Sequence, residues 1–554
     1  MSIPVFELLA EDIRSLGIDT AFGLMSDDTA TLVNSLGPAG VRFVAARHEN
    51  AAVAMAEGYA AATGRLGVAI IGRGPAAANA INAAGHVSRT GSRVLLVYGD
   101  EPRMAIANAP GPDLKAFDAA TVLSAAGLEV FKARNFSSLR GVLAAAADVA
   151  NRGTAAALLI PKDLLEEKVE RPLAPFEYRP TPRIFVPTKR GQPGIAVAAE
   201  LVARCRRPVI VAGWGAVQAD ARQAIEELGE KIGAVYLTTL RATGFFNGNP
   251  FEAGILGSFS NSVGRRFVEE ADCIIVFGAS LNIFTISAGD ALPAGVPVIH
   301  VDKDRAQIGR NWYADVALVG DAADVAQAFA CNCRDVSDQS EFRTEENRRL
   351  IADFDLASDF TFAETQRTVD PRSAALALSR VLPAERNIVL EMGNLFQVTP
   401  FLGITDPKRL KYTSEFGSIG LAFGTALGFC AGSPEVPTVL VTGDGSLLMT
   451  LGELSTCISE DLPLIIVVLN DACLSAERHY LDLREMPVDK TMLPMIDFAD
   501  VAACFGFETA TVTSLAEIEA LAPLLSNRTS PVLIDVKINP TVPAGFMAEF
   551  VTKR

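Results

Sequence analysis

The sequence predicts an α/β protein built from three doubly wound parallel-sheet domains, and three observations carry that reading. Short β-branched apolar runs, each closed by Gly, Asp or Asn, recur along the 554 residues and alternate with stretches rich in helix formers. The length exceeds what one core holds, since domains average roughly 150 residues. Two breaks interrupt the alternation: a proline-rich stretch over 168–194 and the charged stretch CRDVSDQSEFRTEENRR from Cys333, which reads as a solvated connection. The predicted domains are residues 1–167, 190–332 and 370–554.

Taken in order, FVAARHENAAVAMAEGYAAATGRLGVAIIGRGPAAANA reads as strand, Ala-rich helix and strand. Between the two breaks, RPVIVAGWG, DCIIVFGAS and PVIHVDKD are strands ending in Gly or Asp. In the last third, PTVLVT and LPLIIVVLN are buried parallel strands, with SLLMTLGELSTCISED as their helical crossover. The two polar ends of this βαβ unit, Gly443-Asp444-Gly445 and Asn470-Asp471, then meet at one sheet edge. Ligands of open α/β sheets bind at the carboxyl ends of strands, and a metal with phosphate suits two carboxylates placed there.

Composition excludes several classes. A formal charge of −16 offers no basic field to a nucleic acid. The opening MSIPVFELLAEDIRSLG carries acids and no basic stretch ahead of an apolar core, so no signal peptide is expected, and no apolar run reaches membrane length. The eight cysteines are scattered, and Cys331 and Cys333 are too close for a CxxC site, which fits reduced thiols in a cytoplasm.

Gly-Asp-Gly, a gap of this length and Asn-Asp resemble the thiamine-diphosphate fingerprint, and the whole chain resembles the superfamily of pyruvate decarboxylase, acetohydroxyacid synthase and benzaldehyde lyase. The resemblance implies a pyrimidine-binding first domain, a central domain and a diphosphate-binding last domain. It implies Mg²⁺ held by Asp444, Asp471 and the backbone carbonyl of Cys473, with Gly443, Gly445 and Ser446 beside the diphosphate. Relatives usually carry Asn at the second ligand position, so Asp471 adds a carboxylate here. Gly393 and Asn394, in EMGNLF, stand where relatives bond the diphosphate through backbone amides. Ile419, in EFGSIGLAFGTALG, matches the apolar wedge that bends the cofactor. Glu49, in RHENAAVAMAEG, matches the glutamate that bonds the pyrimidine ring and so activates the thiazolium carbon. Glu57 on the same helix is expected to be a helix-dipole partner or to face solvent.

Substrate-side expectations are more individual. Asp27 coincides with an aspartate of pyruvate decarboxylases and Asp28 with a histidine of benzaldehyde lyase; either could relay protons, and both equally suit a turn or helix cap. Lys115 falls near a substrate-facing loop position, where a cation could hold a carboxylate or simply be solvated. Glu477, six residues past Asp471, has the offset of a glutamate that handles a proton after CO₂ loss in pyruvate and indolepyruvate decarboxylases. In the central domain, Ser280 and Leu281 replace the arginine of flavin-binding relatives, which argues against bound FAD.

The resulting expectation is a cytoplasmic thiamine-diphosphate and Mg²⁺ enzyme acting on a small 2-oxo acid or acyloin. It would form a homodimer or homotetramer with active sites at the subunit interface, and bind neither nucleic acid nor membrane. A 2-oxo acid decarboxylase with possible carboligase activity is the main reading. An acetolactate synthase-like carboligase, or an acyloin or 2-hydroxyacyl-CoA lyase, is the alternative. A catalytically silent cofactor-binding subunit is the alternative of another class, and Glu49 argues against it.

Overall fold

The computed structural model describes residues 2–103, 113–171, 175–179, 193–526, 528 and 530–552. Three six-stranded sheets, parallel throughout, form the frame. The first comprises β1 (Thr20–Gly23), β2 (Arg42–Ala45), β3 (Gly67–Ile71), β4 (Val94–Asp100), β5 (Glu129–Lys132) and β6 (Ala156–Pro161), in spatial order β2-β1-β3-β4-β6-β5. The second comprises β7 (Pro208–Ala212), β8 (Val235–Thr238), β9 (Glu252–Ile255), β10 (Cys273–Phe277), β11 (Val298–Asp302) and β12 (Val316–Val319), ordered β9-β8-β7-β10-β11-β12. The third comprises β13 (Asn387–Leu390), β14 (Leu410–Tyr412), β15 (Thr438–Gly443), β16 (Leu464–Asn470), β17 (Glu508–Val512) and β18 (Val532–Lys537). Its order, β14-β13-β15-β16-β18-β17, repeats that of the first sheet. The central strands are buried on both faces, as expected of continuous Val, Ile and Leu runs under helices.

Both expected connections are fastened more firmly than their composition suggested. Ser2–Pro4 pairs antiparallel with Lys168–Glu170, and Phe176 and Tyr178 pack on the first domain; residues 172–174 and 180–192 of the proline-rich stretch lie outside the described residues. The charged stretch from Cys333 is not a solvated connection. Phe342 is buried edge-on against Phe267 at 5.0 Å, and Glu345–Ala352 forms a helix on the central domain. One aromatic among charges has no periodicity, so nothing in the pattern announced it. The crossover from β15 to β16 is likewise two short helices, Asp444–Leu448 and Glu453–Ser459, separated at 449–452.

The outer domains share one core. The helix α1 (Glu49–Thr63) lies along α2 (Ala422–Gly432), and buried residues of both run into a single apolar cluster. Small residues permit the approach: Gly424, Gly428 and Gly432 repeat every four positions on one face of α2. A methyl on Gly58 would overlap the carbonyl oxygen of Thr425, one on Gly428 that of Met55, and one on Gly424 would sit 2.8 Å from the oxygen of Ala51. Because the obstacles are backbone, Gly58→Ala is expected to lose the upper part of the about 1–3 kcal/mol that overpacking costs, read as a lower urea midpoint. Gly37→Ala, with open space around the added methyl, is the control and should unfold like the parent.

Candidate active site

In the third sheet the strand order reverses between β13 and β15, so a crevice opens at their carboxyl ends. Polarity changes there. β15 is buried up to Thr442, Gly443 ends it, and Asp444, Gly445 and Ser446 form the first turn of the following helix. Asp444 accepts from Gly445 N (2.9 Å, Oδ1) and from Cys473 N (3.2 Å, Oδ2).

At the end of β16 two successive residues face opposite ways, as strand geometry requires. Asn470 turns inward and donates to both oxygens of Asp535 (3.0 and 3.2 Å) and to Ile496 O (2.9 Å). Asp471 turns to the crevice and accepts from the Ser475 hydroxyl. Next, Ala472 adopts the left-handed conformation (φ 55°), at a cost of roughly 1–2 kcal/mol for a residue with a Cβ. This turn brings Cys473 N onto Asp444. An alanine gives no sequence signal for such a turn.

Asp444 and Asp471 are 4 % and 7 % exposed. Burial raises the Asp444 carboxyl to about 6, and burial together with the charge of Asp444 raises Asp471 to about 7. Two hard, buried carboxylates that repel one another fit a divalent cation. Among the described residues no third His, Cys, Asp or Glu side chain completes a cluster, so the set needs the Cys473 carbonyl and ligand oxygens. That combination suits Mg²⁺ with a diphosphate.

Across the crevice, Gly393 has φ 132° with open space where a side chain would stand. The side chain of Asn394 is committed elsewhere, donating to Val542 O (3.0 Å) and accepting from Ala544 N (2.7 Å), which leaves its backbone for a ligand. Ile419 is half-buried in the loop before α2, next to Ser418, whose hydroxyl accepts from Asn82 Nδ2 of the first domain at 2.8 Å.

In the first domain, β2 delivers the chain to α1, whose N-cap His48 accepts from Asn50 N at 3.1 Å. Glu49 is 8 % exposed and accepts from Asn79 Nδ2 at 3.0 Å. Glu57 is neither exposed nor a simple dipole partner. Docking of the third domain buries it completely against Lys411 (2.6 Å), Ser92 (2.9 Å) and His86 (3.5 Å). Its fate depended on a strand more than 350 residues away, which no local pattern encodes.

The first sheet has its own reversal between β1 and β3, where Asp27, Asp28 and Lys115 gather. Lys115 binds Asp27 and, at 2.9 Å, Asp28. Asp28 is 2 % exposed and also pairs with Arg73 (3.1 Å), which grips Asp113 with two bonds of 2.7 and 2.9 Å. Burial pushes the Asp28 carboxyl up, but Lys115 and Ser26 outweigh it and hold it below the usual range. Arg73 was not singled out from sequence, where an Arg between glycines is unremarked. Glu477 is exposed in the first turn of α3 (Ser475–Asp482). Between the central and third domains a cavity of about 520 Å³ is bordered by Trp214, Arg241, Ser280, Phe284, Asp302 and Glu415, with Arg241 over the Trp214 ring at 4.5 Å and 3.4 Å from Glu415.

Three α/β domains with a diphosphate-type crevice in the last define a cofactor-dependent enzyme. Residues 3–119 match the model of the thiamine pyrophosphate enzyme N-terminal TPP binding domain, 195–329 the central domain and 392–536 the C-terminal TPP binding domain. The chain belongs to the thiamine-diphosphate-dependent enzyme superfamily. It is 25 % identical to the acetolactate synthase large subunit of Haemophilus influenzae, covering 96 % of this chain and 94 % of the relative. It is 26 % identical to the acetolactate synthase isozyme 2 large subunit of Escherichia coli, covering 96 % of each. It is 25 % identical to the sulfoacetaldehyde acetyltransferase of Castellaniella defragrans, covering 92 % and 88 %. These relatives fit the carboligase alternative better than a simple decarboxylase. No described helix is long and apolar enough to cross a membrane.

Proposed function

We propose that this chain is a thiamine-diphosphate and Mg²⁺-dependent carboligase of the acetolactate synthase kind, which decarboxylates a 2-oxo acid and joins the retained carbons to a second carbonyl. The observation that carries this is the likeness to acetolactate synthases across all three domains and more than nine-tenths of the chain. Thiamine diphosphate, when bound, supplies a carbon nucleophile and a sink for the electrons released by C–C cleavage. Asp444, Asp471 and the Cys473 carbonyl would hold the metal, with Gly393 leaving room for the diphosphate. Glu49, whose Oε2 accepts from Asn79 Nδ2, would share a proton with the pyrimidine ring.

By its resemblance to the superfamily, the working site would be shared between two copies in a homodimer or homotetramer, with Glu49 of one facing the metal pair of the other. Lys115, already balanced by Asp27 and Asp28, would shape the substrate side more than anchor a carboxylate on its own.

The simple decarboxylase is the second reading, and it rests on the offset of Glu477. Carboligation needs no proton delivered to the retained carbon. Glu477→Gln is therefore expected to keep the carboligation rate of the parent within about twofold, whereas a decarboxylase using it as general acid would lose about 100- to 10,000-fold. Parent and variant would be given 2-oxo acids with and without a second carbonyl, with CO₂ and coupled product quantified by NMR. CO₂ with only the protonated aldehyde would overturn the carboligase reading.

A further inference from the structure

We propose that Glu391 is the residue that positions the two cofactor-contacting backbone segments relative to each other, and so sets the shape in which thiamine diphosphate is held; the inference rests on the cofactor reading above. Its carboxylate gathers four donors. Oε1 accepts from Thr413 Oγ1 (3.0 Å) and Met392 N (3.3 Å), and Oε2 from Gly420 N (3.1 Å) and Ala422 N (3.4 Å). These donors stand on three separate pieces of chain: the turn after β13 that carries Gly393, the end of β14, and the loop that carries Ile419 into α2.

The arrangement is costly for a merely structural group. Glu391 is 1 % exposed, and among the described residues no Lys, Arg or His lies within ion-pair distance of it. Burying a carboxylate without a counter-ion is unfavourable, and an apolar residue would fill such a core position at less expense. Three backbone N–H groups, two of them where the chain enters α2, and one hydroxyl oppose the burial that pushes its carboxyl up. The two turns it joins both use left-handed or extended-positive backbone, Gly393 at φ 132° and Gly420 at φ 82°, which no side-chain packing of their own would fix. One carboxylate therefore holds the diphosphate-side turn and the wedge loop at a fixed separation.

Glu391→Gln keeps the shape but turns an NH₂ toward donors, so one side of the carboxylate's bonding is lost. With Mg²⁺ saturating, we expect thiamine diphosphate to bind about 10- to 100-fold more weakly. Hydrogen–deuterium exchange at C2, measured per bound cofactor, should also slow at least about tenfold, because a misplaced ring no longer meets the pyrimidine side. Thr413→Val removes a single donor and should slow exchange about threefold, with Thr413→Ser restoring it. A Glu391→Gln protein with lowered melting temperature but parental exchange per bound cofactor would show a purely structural role and overturn the proposal. If that variant does not fold, parental exchange in Thr413→Val overturns it instead. A parent that binds no thiamine diphosphate at all would instead overturn the cofactor reading itself.

Discussion

Glu49→Gln is expected to bind thiamine diphosphate and Mg²⁺ as the parent does, while C2 proton exchange falls by about 100- to 10,000-fold and turnover falls with it. The amide is isosteric, and its oxygen can still accept from Asn79 Nδ2 at the position Glu49 Oε2 now occupies. The start of α1 does not depend on the carboxylate, because His48 supplies the cap. What is removed is the ability to share a proton with a bound pyrimidine ring. Exchange followed by NMR on the holoenzyme isolates this from binding, which titration of intrinsic fluorescence follows separately. Parental exchange in Glu49→Gln would remove the residue from the catalytic machinery.

Chelating the divalent cation is expected to release the cofactor and abolish activity together. Without a cation, Asp444 and Asp471 are two buried carboxylates that disfavour each other's charge, and nothing remains to bridge them to a diphosphate. The sign of the pH dependence follows from their raised values in the folded chain, about 6 and about 7. Protonation relieves the repulsion, so the metal-free protein is relatively stabilised at low pH and loses that stability as pH rises through 7. The gain in melting temperature on adding Mg²⁺ should accordingly be larger at pH 8 than at pH 5. Activity that persists in excess EDTA, with metal shown absent by elemental analysis, would rule out the assignment. Asp444→Ala should behave as the chelated parent does and resist rescue by added Mg²⁺.

The sheets were legible because parallel strands buried on both faces write themselves as apolar runs, and the Asp444–Asp471 spacing because a βαβ unit returns its polar ends to one edge. Glu49 came only through resemblance, since a Glu in a first helical turn is commonplace. Most of the unread features are made by distant chain. Phe342 needs Phe267, Glu57 needs Lys411, Lys115 needs Asp27 and Asp28, and Glu391 needs a loop some thirty residues on. Ala472 is the opposite case: the conformation is local, but alanine is not a residue that advertises it.

The meshing of α1 with α2 bears on how such a chain can be altered by recombination. Gly58 against Thr425, and Gly424 and Gly428 against Ala51 and Met55, form a lock with no room for a methyl along two helices that lie far apart in the gene. A chimera that imports the first domain from a relative must import a matching α2 as well, or the halves will not seat. The central domain meets the third through rings, Phe259 and Phe284 against Phe396, and at one point through backbone, where a methyl on Gly244 would sit 2.7 Å from the carbonyl carbon of Thr405. Gene shuffling should therefore exchange the outer two domains only as a pair, and a middle third only when it keeps glycine at position 244.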